Sequence, residues 1–137
     1  MVHGPQAISS RALSQLEVPF RLHGRSPGVA LDCVGLVAMA IEPYLDGRSV
    51  PQHYALRGDF LNRICDFFAA LPFRSQAFGS ATAVGDILLA EVGPSQLHLA
   101  IVTDDGWVHA HAGLRRVVLS TPQTDWAIIR HWRLNGE

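Results

Sequence analysis

The apolar residues of this chain change their period near Ala83, and that one change excludes most fold classes. Over 57–71, Phe60, Leu61, Ile64, Phe67, Phe68 and Leu71 recur at helical spacing, the pattern of a core-facing stripe, and Pro72 ends it. Beyond Ala83 the pattern becomes that of strands, expected over 86–91, 98–103, 107–111, 115–120 and 126–134. Asp104-Asp105-Gly106, between the second and third of these, reads as a hairpin turn. Helices first and then an antiparallel sheet of about five strands make an α+β domain.

Ahead of the long stripe, Ser9 and Ser10 are placed to cap a short helix through Leu16, stopped by Pro19, with 1–8 as a loose lead-in. A second helix is expected over 33–41, ended by Pro43, and a polar loop over 46–53. Residues 1–137 read as a single domain, long enough for a real core and without internal repeats. With 48% apolar and 17% charged residues the chain reads as globular rather than disordered. A net charge of −1 gives no electrostatic footprint for nucleic acid. No run is apolar enough for a membrane span, and the N-terminus lacks the pattern of a secretory signal. Synthesis and folding in the cytoplasm are expected, with any action elsewhere depending on a carrier. Two cysteines are too few for a disulfide scaffold, and Cys65, within the apolar stripe, is expected in the core.

The chemistry centres on Leu31-Asp32-Cys33-Val34-Gly35-Leu36-Val37, which follows the turn-forming run Gly24-Arg25-Ser26-Pro27-Gly28. Asp32 is a good N-cap, so Cys33 falls at the first helical position, where the dipole and unpaired N–H groups favour a thiolate. Its thiol is expected to ionise below the free value of ~8.5. Gly35, a poor helix former, suggests a close approach by a strand or a substrate. A nucleophilic cysteine needs a base, and the base an orienting group. His98 opens an apolar strand on the face of Ala100 and Val102, and His109 and His111 share a face of the next strand. Either can reach His98 across the hairpin. The rival use of Cys33, His98, His109 and His111 is a tetrahedral zinc site, although they lack the short paired spacing of such sites.

Four motifs in order resemble the NlpC/P60 family of papain-like cysteine peptidases. They are Asp32-Cys33-Val34-Gly35-Leu36-Val37, Gly85-Asp86-Ile87-Leu88-Leu89, His98-Leu99-Ala100-Ile101-Val102 and Trp107-Val108-His109-Ala110. The likeness runs from about Val18 to Leu119. It implies a papain-like NlpC/P60 fold with Cys33 as nucleophile, His98 as base and His109 as the orienting residue, and neither metal nor cofactor. Asp32, Val34, Phe20 and His111 would face substrate. Two departures both exchange a hydroxyl for an apolar group: Val34 stands where the family has Ser, and Phe20 where it has Tyr.

The family cleaves amide bonds in cell-wall peptides, commonly between D-glutamate and a diamino acid, and the same activity on peptidoglycan is expected here. Val18-Pro19-Phe20-Arg21-Leu22-His23-Gly24-Arg25 is similar to members carried on phage tails and gene transfer agents. That likeness implies tail-tip partners and action in the cell wall as part of a virus-like particle. A catalytically silent tail component and an injected amidase effector are the alternative expectations.

Overall fold

The computed structural model describes residues 4–51, 60–93 and 96–136. Helix α1 (Pro5–Leu13) is followed by a hairpin of β1 (Arg25–Ser26) and β2 (Ala30–Leu31). Helix α2 (Cys33–Ala40), a 3₁₀ turn at Glu42–Tyr44 and helix α3 (Phe60–Ala69) come next. The strands β3 (Phe73–Ser75), β4 (Ile87–Gly93), β5 (Gln96–Thr103), β6 (Gly106–His111), β7 (Arg116–Ser120) and β8 (Ala127–Leu134) then form one antiparallel sheet.

The α+β class stands, with a larger sheet than the five strands expected. Its order is β3-β8-β4-β5-β6-β7, six strands, so the chain makes a meander from β4 to β7 and then returns β8 between β3 and β4. β3 is too short to show an alternation, and only its pairing with β8, from Phe73↔Leu134 to Ser75↔Trp132, makes it a strand. Helix α1 begins earlier than Ser9. Pro5 occupies its first turn, where a missing N–H costs nothing, and Gly4 is the cap with a φ of 98°. Residues 5–8 are therefore helical rather than a loose lead-in, and Ser9 is buried mid-helix. The expected residues 57–59 of the third helix and 52–53 of the polar loop lie outside the described residues.

The three helices contribute to one core cluster with the inner face of the sheet, among them Ile8, Leu36, Phe60, Phe68, Ile101 and Val108. Phe68 stacks on Trp132 with ring centroids 4.2 Å apart, joining α3 to β8. Leu88, Ala100, Val102 and Trp107 form a smaller cluster, with Trp126 and Ile128 against it. Cys65 departs from expectation: it is half-buried, packed at the margin of the core rather than inside it. No helix among the described residues is long and apolar enough to cross a membrane.

Two features position the site. The Glu17 N–H donates to the Val117 carbonyl and the Phe20 N–H to the Arg115 carbonyl, so the segment before β1 runs along the outer edge of β7. At the other end, Asp86 is fully buried and ties the start of β4 to β8. Its oxygens accept from His131 Nε2 at 2.5 Å and from Arg133 Nε and Nη2 at 2.9 Å.

Candidate active site

Asp32 caps α2 as its sequence position predicts, with Oδ1 accepting the Gly35 N–H at 2.8 Å. The same oxygen accepts from Arg25 Nη1 at 2.8 Å, and Oδ2 accepts the His23 N–H at 2.7 Å. Both carboxylate oxygens are thus engaged in holding the helix start against the β1–β2 hairpin. Gly35 is explained by the same packing, because a Cβ there would collide with the Gly24 carbonyl oxygen. The close approach that Gly35 suggests is made by the chain itself. Cys33 is left as the first residue of the helix, 3% exposed, in the wall of a cavity of about 480 Å³ that His98, His109 and Trp126 also line.

Alternation alone would not bring thiol and imidazole together. Cys33 packs with the helices, in the cluster that holds Leu99 and Ile101, whereas Ala100 and Val102, which alternate with His98, belong to the smaller cluster. The sheet opens instead. β5 and β6 pair only at Ile101↔Val108, Val102↔Trp107 and Thr103↔Gly106. Continuing that register would place His98 opposite His111, but the ladder stops first, and His98, His109 and His111 beyond it line the cavity. The Leu99 backbone, free of β6 at this point, hydrogen-bonds the Cys33 sulfur.

His98 Nε2 lies 2.9 Å from His109 Nδ1, and His109 Nε2 lies 3.1 Å from Ser120 Oγ. The second contact is a diagonal one across β6–β7, since His109 is directly opposite Val118. For His98 to take a proton at Nδ1, its Nε2 must carry the hydrogen and donate it to His109 Nδ1. His109 then carries its own hydrogen on Nε2 and donates it to Ser120. Trp126 packs edge-on against both imidazoles, at 5.5 Å from His98 and 5.1 Å from His109.

Burial dominates the protonation states. It pushes the Cys33 thiol up to about 12, reinforced by the Asp32 carboxylate, and backbone hydrogen bonds from Leu99 and Val34 and the charge of Arg25 oppose it only in part. The expected thiol ionising below its free value is therefore corrected: the helix start is present, but desolvation outweighs it. Burial likewise holds His98 down to about 3, helped by His109 and His111, and His109 down to about 4. Burial thus favours a neutral thiol on Cys33 and a neutral imidazole on His98, two side chains that line the same cavity.

Of the other residues expected to face substrate, Phe20, Asp32 and His111 line the cavity. Val34 does not; it is 2% exposed within the core, so its exchange for Ser falls in the packing rather than on the groove floor. His111 makes no bond to His98; its Nδ1 accepts the Leu114 N–H at 3.0 Å. Sequence reading missed Ser120 and Trp126. Their only signals are a hydroxyl ending one strand and an indole beginning another, and neither shows a partner before register is known. Among the described residues no group of three or more His, Cys, Asp and Glu is arranged to hold a metal ion. His98 and His109 bond to each other rather than converging on a common point.

No protein-family model matches the sequence, and no curated protein matches it either. Solved structures do. NlpC1 from Trichomonas vaginalis superposes on 97% of this chain with a TM-score of 0.66 at 16% identity. The chain has the NlpC/P60 fold. It spans about half the length of that protein, 47%. The NlpC/p60 domain of the peptidoglycan hydrolase SagA matches 96% of this chain and 100% of its own, with a TM-score of 0.63 at 19% identity. The peptidoglycan hydrolase RipB from Mycobacterium tuberculosis matches 97% of this chain and 65% of its own, with a TM-score of 0.65 at 22% identity.

Proposed function

We propose that this chain is a cysteine hydrolase cleaving amide bonds in peptidoglycan stem peptides. The observation that carries the reading is the His98 Nε2–His109 Nδ1 bond, made in the same cavity as a cysteine at a helix start. In this reading the Cys33 proton moves to His98 Nδ1 as the sulfur attacks the amide carbonyl, and the Cys33 N–H supports the developing oxyanion. The C–N bond breaks, His98 returns the proton to the leaving amine, and a thioester is left on Cys33. Water, deprotonated by His98, then releases the acid and regenerates the thiol. His109, anchored by Ser120, keeps His98 in the tautomer that this cycle needs.

The named activities of SagA and RipB support the choice of peptidoglycan. Carriage on a phage-like tail, with tail-tip partners and action in the cell wall, is supported by the likeness around Phe20 and Asp32. The burial of Cys33 and its raised pKa favour a second reading, a tail component that keeps the fold without the reaction. One experiment separates the two. Purified sacculi are digested and the fragments identified by mass, with Cys33→Ala as control. Release of stem-peptide fragments by the native chain and not by the variant is expected. No release from sacculi of any of several wall chemistries would leave the structural reading.

A further inference from the structure

We propose that the substrate cleft has a second arm, a cavity of about 560 Å³ between β8 and the 76–82 loop, which takes the peptide on the amine side of the scissile bond. This rests on the hydrolase reading above and adds a binding site to it. Trp126 is the shared wall. It lines both this cavity and the one that holds Cys33, and it packs against His98, His109 and Trp107. The sheet register sets how near the two cavities are. His98 on β5 lies directly opposite Ala90 on β4, and Ala90 directly opposite Ile128 on β8. Residues paired in this way share one face of the sheet. His98 of the first cavity and Ile128 of the second therefore stand two strand spacings apart, ~10 Å, with the methyl of Ala90 between them in that row.

Cys33 belongs to the core on the opposite face, so a peptide running from Cys33 past His98 meets the second cavity next. Direction follows from the chemistry. His98 hands its proton to the leaving amine, so the amine side of the scissile bond is the one at His98. An extended chain covers ~3.5 Å per residue, and about three residues beyond the bond reach Ile128. The cavity has a preformed wall. Its floor holds Leu88 and Ile128, and the 76–82 loop opposite is pinned near both ends. The Gln76 N–H donates to the His131 carbonyl at 2.7 Å, Arg133 Nη2 to the Ala81 carbonyl at 2.9 Å and the Ala83 N–H to Asp86 Oδ2 at 2.9 Å. Between these anchors Phe78 and Thr82 line the cavity, Phe78 standing 95% exposed. A loop held in this way binds without the cost of being ordered. An aliphatic side chain laid over Leu88 and Ile128 and covered by Phe78 is the chemistry that fits.

Two measurements test the proposal. The first compares two synthetic stem peptides, L-alanyl-γ-D-glutamyl-L-lysinamide and its extension to L-lysyl-D-alanyl-D-alaninamide. They place one residue and three beyond the scissile bond and end alike in an uncharged amide. The longer peptide is expected to show a kcat/KM about tenfold or more higher. Thr82→Trp, which fills the cavity mouth, and Phe78→Ser, which removes its cover, should each shrink that advantage to about twofold or less. Both replace exposed side chains, so the fold is not at stake. Equal rates for the two peptides, or an advantage that both variants keep, would overturn the proposal. The second measurement needs no turnover. L-Lysyl-D-alanyl-D-alaninamide is titrated calorimetrically into Cys33→Ala, with and without Thr82→Trp. Binding weakened about tenfold by the second substitution is expected, and no binding, or an affinity that Thr82→Trp leaves unchanged, would overturn the proposal. Cleavage of neither peptide would count against the hydrolase reading, while the titration still decides whether the second cavity takes the amine-side peptide.

Discussion

Replacing His109 by Ala removes the acceptor on His98 Nε2 and admits water to a ring that burial, with His109 and His111, holds down to about 3. The variant is expected to lose ~10²-fold or more in kcat. The acid limb of its kcat/KM profile should also move upward, toward the ordinary histidine value of ~6.5. Ser120→Ala, one bond further out, should cost roughly fivefold, because a single hydrogen bond is worth about 1 kcal/mol. His111→Ala should act mainly on KM. A pH–rate profile for each variant checks the ranking, and a larger kcat loss for His111 would transfer the orienting role to it. A separate expectation concerns the nucleophile. With its thiol pushed up to about 12, Cys33 should react with iodoacetamide at a rate that keeps climbing through alkaline pH. A plateau near neutrality, followed by mass spectrometry of the Cys33 peptide, would instead show a resting thiolate–imidazolium pair.

At the level of elements, α3 shows how much a periodic stripe can reveal. Phe60, Ile64, Phe67 and Phe68 are buried along it, as their spacing predicts, and Phe68 meets both Phe73 on β3 and Trp132 on β8. Phe68→Ala should cost about 3–5 kcal/mol by leaving a cavity where helix and sheet meet. Denaturant unfolding followed by tryptophan fluorescence measures it, and a loss under about 1 kcal/mol would mean that the core collapses around the gap. The start of α2 and the β5–β6 hairpin were equally legible, since Asp32 caps one and Thr103 Oγ1 braces the turn of the other through the Asp105 N–H. The start of α1 is hidden in the sequence, because Ser9 and Ser10 resemble a cap more than Gly4-Pro5 does. The split between β5 and β6 leaves no trace in either strand.

For the molecule as a whole, acid is the expected weakness. His98 and His109 have depressed pKa values, so below the unfolded value of ~6.5 the unfolded chain binds protons that the native one refuses. Stability is therefore full above that pH and falls as the pH drops toward 4, the His109 value, and then 3, the His98 value. Asp86 adds a second stage. Burial alone would raise its carboxyl, but Arg133, His131 and the Ala83 N–H outweigh that and lower it. Its contribution is present above the unfolded value of ~3.9 and is lost as pH falls through the lower folded value. Urea midpoints measured from pH 7 to 4 should fall, and a His98→Gln, His109→Gln double variant should flatten the slope. An unchanged slope in that variant would place the acid sensitivity elsewhere.

What the sequence determined by itself is what depends on neighbours a few residues apart: the Asp32 cap, the hairpin turn, the helical stripe and the change to strand alternation. It also placed Cys33, His98 and His109 as candidates, since their order and spacing are local facts. Tertiary structure alone decided that β8 inserts between β3 and β4 and that β5 parts from β6. It decided that Ser120 and Trp126 flank the histidine pair, and that Cys33 rests as a neutral thiol. Those outcomes depend on which distant segments meet, because diagonal cross-strand contacts and the desolvation of a buried group are set by the whole surrounding shell.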